Sequence, residues 1–175
     1  MKKLLLMLLA APLFFAACSD DDTDFITNPP AVGEDLAEEN TAIVEGVVKG
    51  EMRFRGKYTV TDKNGVIGYE NQGAKFNITT AGTGLGVEMN GVKFADGMPA
   101  LDIRMQPIDY AGEGKAVHFI EDKIIPEAFI KAAGWQPFDK YPMTEVRGEV
   151  NGLRFTITMK CMNVYTIRYE GQLLK

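Results

Sequence analysis

Absences narrow the chemistry of this 175-residue chain before any pattern is read. Its only serine is Ser19, which precedes the folded part, so a serine nucleophile in the folded domain is excluded. His118 is the only histidine, and a multi-histidine metal site or a His-Cys-Cys zinc site is excluded with it. Cysteine is nearly as scarce: Cys18 and Cys161 are the two, and if the first is lipidated the second has no disulfide partner. A basic face is missing too. Eight of the 24 acids lie between residues 20 and 39, where there is no Lys or Arg, and Lys2 and Lys3 stand at the N-terminus. From residue 40 onward the remaining 17 basic residues face the remaining 16 acids, a nearly neutral balance that fits no nucleic-acid partner.

The N-terminus carries an address. After Lys2 and Lys3 an apolar run extends over residues 4–15, broken by Pro12. It is shorter than the ~18 apolar residues a membrane span needs, and it fits a secretory signal over residues 1–17. The run ends Phe15-Ala16-Ala17-Cys18, which resembles a bacterial lipobox with Cys18 as the lipidated residue; Phe15 replaces the usual aliphatic residue. The following Ser19-Asp20-Asp21-Asp22 resembles the acidic surface-export signal of Bacteroidetes lipoproteins, which implies an outer-membrane protein facing the cell surface. Residues 18–42 hold Pro29-Pro30, acids and few apolar side chains. Such a stretch buries too little surface to offset its ordering entropy, so it is expected to be a flexible acidic tether.

From residue 43 to 175 the pattern is alternation. Leu153, Phe155, Ile157, Met159 and Cys161 share one side of a run whose other side is Arg154, Thr156, Thr158 and Lys160. A strand sends successive side chains to opposite faces, so this run has one buried and one wet face. Val146, Gly148 and Val150 precede it across Asn151-Gly152, a dipeptide suited to a two-residue hairpin turn, and Tyr165, Ile167 and Tyr169 follow. Residues 44–54 echo residues 146–155, suggesting two similar hairpins at opposite ends of a sheet. Met52, Phe54, Tyr58 and Val60 share a face, with Gly56 in the same row where a closing barrel bends. Two runs change phase midway, at Asn90-Gly91 and at Pro107, as a β-bulge does; at Asn90-Gly91 the competing reading is a hairpin turn. Pro126, Glu127 and the closing Gly134 bracket what reads as two helical turns. The expectation is a mainly β fold, an antiparallel barrel of eight to ten strands with one short helix.

Residues 43–175 resemble the calycin-like β-barrel lipoproteins of Bacteroides-type bacteria. The resemblance rests on the early Gly-punctuated hairpin, on Val92-Lys93-Phe94 through Gly97-Met98-Pro99 to Leu101-Asp102-Ile103, and on the meander over residues 148–171. It implies a lipocalin-related barrel and carries no activity, cofactor or metal with it.

The residues themselves offer a few candidates. His118, between Val117 and Phe119, reads as a surface residue, and Cys161 as a small buried hydrophobe. Gly82-Thr83-Gly84-Leu85-Gly86 lacks the Lys-Ser/Thr of a phosphate loop and reads as a turn. Asp102, Asp109, Glu121 and Asp122 are the acids open to a carboxylate-dependent glycosidase. The best candidate is an aromatic stretch, Trp135, Phe138 and Tyr141 with Phe129. It either lines a ligand mouth or plugs one end of the barrel, while Gly56, Gly91, Gly148 and Ala74 leave room for a small apolar ligand. The reading is a non-catalytic, membrane-anchored binding module for a small apolar ligand or glycan, the alternative being an accessory subunit of a cell-envelope protein assembly.

Overall fold

The alternation in sequence is an alternation in burial. Along β1 (Met52–Thr61), Met52, Phe54, Tyr58 and Val60 are buried while Arg53, Arg55 and Lys57 face water. The structure, a computed structural model, describes residues 47–48, 50–113 and 115–175. The signal sequence, Cys18 and the tether lie outside the described residues. Ten further strands follow: β2 (Ile67–Ala81), β3 (Gly84–Val92), β4 (Leu101–Ile108), β5 (Tyr110–Glu113), β6 (Ala116–Ile124), β7 (Glu127–Ile130), β8 (Gly134–Pro137), β9 (Met143–Val150), β10 (Arg154–Cys161) and β11 (Tyr165–Leu173). All eleven belong to one antiparallel sheet, in the order β5-β6-β9-β10-β11-β1-β2-β3-β4-β7-β8, curled into a half-barrel.

The count exceeds the eight to ten strands expected, for two reasons. Asp109 interrupts the run that contains Pro107, so that β4 pairs with β3 and β5 turns to pair with β6. The larger correction concerns residues 126–134, which form no helix. Ala128 pairs with Ile103 and points into the core, and Phe129 and Ile130 pair with Trp135 and Gly134 across a hairpin. The Ala, Glu and Lys here favour a helix, but β4 presents unpaired backbone that a strand satisfies and a helix does not. Gly134, read as a helix stop, takes its positive φ of 73° in the hairpin instead.

Both phase changes are bulges. Between Met89 and Val92 β3 carries one residue more than β4, with Gly91 at φ 63°; between Met105 and Ile108 β4 carries one more than β3. The two insertions cancel, so the pair leaves in register. The turn after β9 sits one residue later than Asn151-Gly152. Asn151 donates its N–H to the Arg154 carbonyl (3.1 Å), leaving Gly152 and Leu153 at the tip, and Leu153 is 72% exposed instead of heading the buried row. The echoing segments are also not at opposite ends of the sheet: β1 and β10 flank β11 on either side. The described part of the echo's first strand, Val47 and Val48, is not a strand.

The interior is filled. Phe54, Phe76, Phe119, Phe155 and Tyr169 form a continuous aromatic cluster, with Phe76 and Tyr169 stacked 3.9 Å apart and 2° from parallel. The room expected at Gly56 and Gly148 is taken, and Gly91 lies exposed at the β3 bulge, not in the interior. A Cβ at Gly148 would run into the Phe119 ring, and one at Gly56 would meet the backbone of Glu170 and Gly171. Gly56 and Gly171 are cross-strand partners, so β1 and β11 close on each other where neither has a side chain. The pairings also sort the connections by end. The chain enters β1 at a proximal end shared with Gly152, Leu153 and the C-terminus. The connections at 62–66, 93–100, 125–126, 138–142 and 162–164 lie at the distal end.

Candidate functional site

The outer face of β2, β3, β4 and β7 carries one continuous polar row. Asn77 is opposite Glu88, Glu88 opposite Arg104, and Arg104 opposite Glu127. Directly opposed residues share a face, and the alternate residues Ile78, Val87, Ile103 and Ala128 are buried on the other side. Local alternation therefore forces these four side chains outward together. Arg104 Nε donates to Glu127 Oε2, and its guanidinium lies over the Trp135 ring, 4.5 Å from the centroid. Phe129 meets Trp135 edge-on at 5.5 Å and is 44% exposed. Asp102, also outward, accepts the Gly91 N–H at 2.7 Å, which ties the β3 bulge to this face. The Glu88 carboxyl is raised above the usual glutamate range, first by burial and then by the charges of Asp102 and Glu51. A guanidinium with its carboxylate partner thus stands beside an indole, and the Glu88 carboxyl and Asn77 amide continue the row one and two strands further on.

The four aromatic residues singled out in sequence separate into two pairs. Trp135 and Phe129 stand on the outer face of the β7–β8 hairpin. Phe138 stacks on Tyr141 at 4.2 Å, and Tyr141 in turn lies over the buried Phe94 at 6.3 Å, so that pair caps the distal end of the core. Phe138 and Tyr141 cover the end of the core as the plug alternative expects, whereas Trp135 and Phe129 stand partly exposed on the outer face and line no barrel mouth. Sequence reasoning missed Arg104, Glu88 and Glu127. The signal was the outward polar row of β4 (Asp102, Arg104, Gln106), and reading 126–134 as helix hid that Glu127 and Phe129 continue it.

The other acids do not converge. Asp109 sits at the β4–β5 junction, Glu121 is opposite Val146, and Asp122 pairs with Arg147 at 2.9 Å. His118 Nδ1 is 3.9 Å from Glu149 Oε2 on the outer side of β6, and its side chain is largely covered, not the open surface residue expected. Cys161 is fully buried on the inner side, and burial pushes its thiol up to about 11. The two face apart. Among the described residues no three His, Cys, Asp or Glu side chains gather as a metal site, and no helix is long and apolar enough to cross a membrane. At the proximal end Met52, Arg53, Leu153, Leu173 and Leu174 border an open groove of about 730 Å³.

Comparison of the chain with protein-family models, with curated proteins and with solved structures returned no match.

Proposed function

We propose that this chain is a lipid-anchored, surface-facing, non-catalytic glycan-binding module, with Cys18 as the anchor and a calycin-like barrel as the scaffold. The observation that carries the reading is the Trp135–Phe129 pair held by Arg104 at the end of the Asn77–Glu88–Arg104–Glu127 row. The filled interior favours an outer-face glycan over an apolar ligand inside. Asp109, Glu121 and Asp122 are scattered and Glu127 of the row is tied to Arg104, which favours binding over hydrolysis, since a glycosidase needs two available carboxyl groups flanking one bond. Trp135 is the only tryptophan, so its fluorescence reports on the site directly. Titration of the purified chain with neutral and acidic oligosaccharides should give a saturable change in emission with one class. Arg104→Ala should weaken that response at least tenfold without changing the fold. A flat response to every class sinks the reading.

A second reading, an accessory subunit of a cell-envelope assembly, draws on β8. It ends the sheet with its outer backbone edge unpaired among the described residues, where an extended segment of another protein can add. Crosslinking from position 136 in intact cells should then recover one defined protein partner, and repeated recovery of none counts against it.

A further inference from the structure

Six exposed apolar side chains crown the distal end, and none belongs to the outer-face row. Val66 (61% exposed) and Ile67 (58%) come from the β1–β2 turn, Ile125 follows β6, Ile130 stands at the tip of the β7–β8 hairpin, and Met162 and Val164 form the β10–β11 turn. The pairings make five of them neighbours along one rim. Ile124 is opposite Met143, Met143 opposite Cys161, and Cys161 opposite Tyr165; Thr166 is opposite Thr61, which is opposite Ile67. Five strand spacings make an arc of about 24 Å. Each apolar group has a lysine within three residues: Lys63, Lys123, Lys131 and Lys160.

The acids at this end are largely engaged. Asp62 accepts the backbone N–H groups of Asn64 and Val66, Asp122 holds Arg147, and Glu145 holds Lys160. Asp62, whose partners are neutral, Asp96 and Asp139 stand against Lys63, Lys93, Lys123, Lys131 and Lys140, a local excess of two positive charges. Separate turn tips bearing one or two apolar side chains, spaced by lysines, suit a fluid layer with an apolar interior and an anionic surface. A protein partner is served better by one contiguous patch.

We infer that the distal end docks on a lipid bilayer, with Val66, Ile67, Met162 and Val164 entering the acyl boundary and the lysines meeting anionic headgroups. Attachment through Cys18 leaves this possible. The 28 residues from 19 to 46 span at most about 95 Å, against about 34 Å for a ten-residue strand, so the distal end can reach the bilayer that holds the anchor.

Site-directed fluorescence on the full chain tests this. In a Cys18→Ser background Cys161 is buried and unlabelled, so Val164→Cys and, as a control at the opposite end, Leu153→Cys each take one environment-sensitive dye. On vesicles of phosphatidylcholine with phosphatidylglycerol, the dye at 164 should shift to the blue and be quenched by brominated acyl chains, while the dye at 153 stays water-like. Lys63→Glu with Lys131→Glu should reduce the shift at 164. Water-like emission at 164 on these vesicles, or equal shifts at both positions, overturns the proposal. The glycan reading survives that outcome, because its test uses Trp135 and free sugar.

Discussion

Two sets of aromatic side chains grow from the same sheet and meet opposite fates. Inside, Phe76 and Tyr169 stack face to face and are sealed from water; outside, Trp135 and Phe129 meet edge-on and stay partly exposed. The inner pair belongs to long central strands, β2 and β11, with neighbours on both sides. The outer pair belongs to a four-residue hairpin at the margin of the sheet, joined to β4 through Ile103–Ala128 and Arg104–Glu127. What separates them is the face of the sheet each ring is sent to, together with its distance from the margin, not the residue type. An enclosed ring contributes stability; a ring at the margin is left free to contact something else.

Substitutions can break this contrast. Phe76→Ala opens a cavity beneath Tyr169 and among Tyr58 and Phe155, and should cost about 3–5 kcal/mol in denaturant unfolding. Gly56→Ala forces a methyl group against the β11 backbone. It should cost about 1–3 kcal/mol or more, and loss of hydrogen-exchange protection should centre on the β1–β11 pairing. Trp135→Ala, on the outer side, should cost only about 0.5–1.5 kcal/mol for the lost pairing with Phe129, while abolishing the thermal shift produced by an oligosaccharide ligand. A cooperative loss of fold on Trp135→Ala would place that ring with the core instead and erase the distinction.

The smallest expected effect sharpens the electrostatic side. Glu88 has a raised pKa in the folded protein, so the folded chain keeps this proton across a pH window in which the unfolded chain has released it. Stability attributable to this group therefore falls as pH climbs through that window and is recovered on acidification. Glu88→Gln should remove the fall and raise stability at neutral pH by less than about 0.5 kcal/mol, because the group is only partly buried and solvent still screens it. Melts of the two proteins at matched pH should converge as the pH drops below the ordinary glutamate range.

Much of the fold was legible because burial on one sheet face writes a period of two into any strand long enough to show it. Met52 to Val60 and Phe155 to Cys161 announce their buried rows, and Gly91 and Pro107 mark the residues at which phase slips. The β7–β8 hairpin was illegible for a related reason. Four residues contain too few repeats to separate a strand from a helical turn, and the partner that decides between them, Ile103, is 25 residues away. The candidate site suffered most. Asn77, Glu88, Arg104 and Glu127 are remote in sequence and adjacent only because three strand registers align them.

By itself, then, the sequence determined the β class, the inward and outward rows of the long strands, the bulge positions and the chemistries for which no residues exist. All of these depend on side-chain type and local spacing. The order of strands around the half-barrel, the separation of Trp135 from Phe138 and Tyr141, the crowding at Gly56 and the polar row beside Trp135 were decided by the tertiary structure. Pairing and register are contacts between distant segments, and their energies are set by the partner a strand finds, which no single stretch of sequence records.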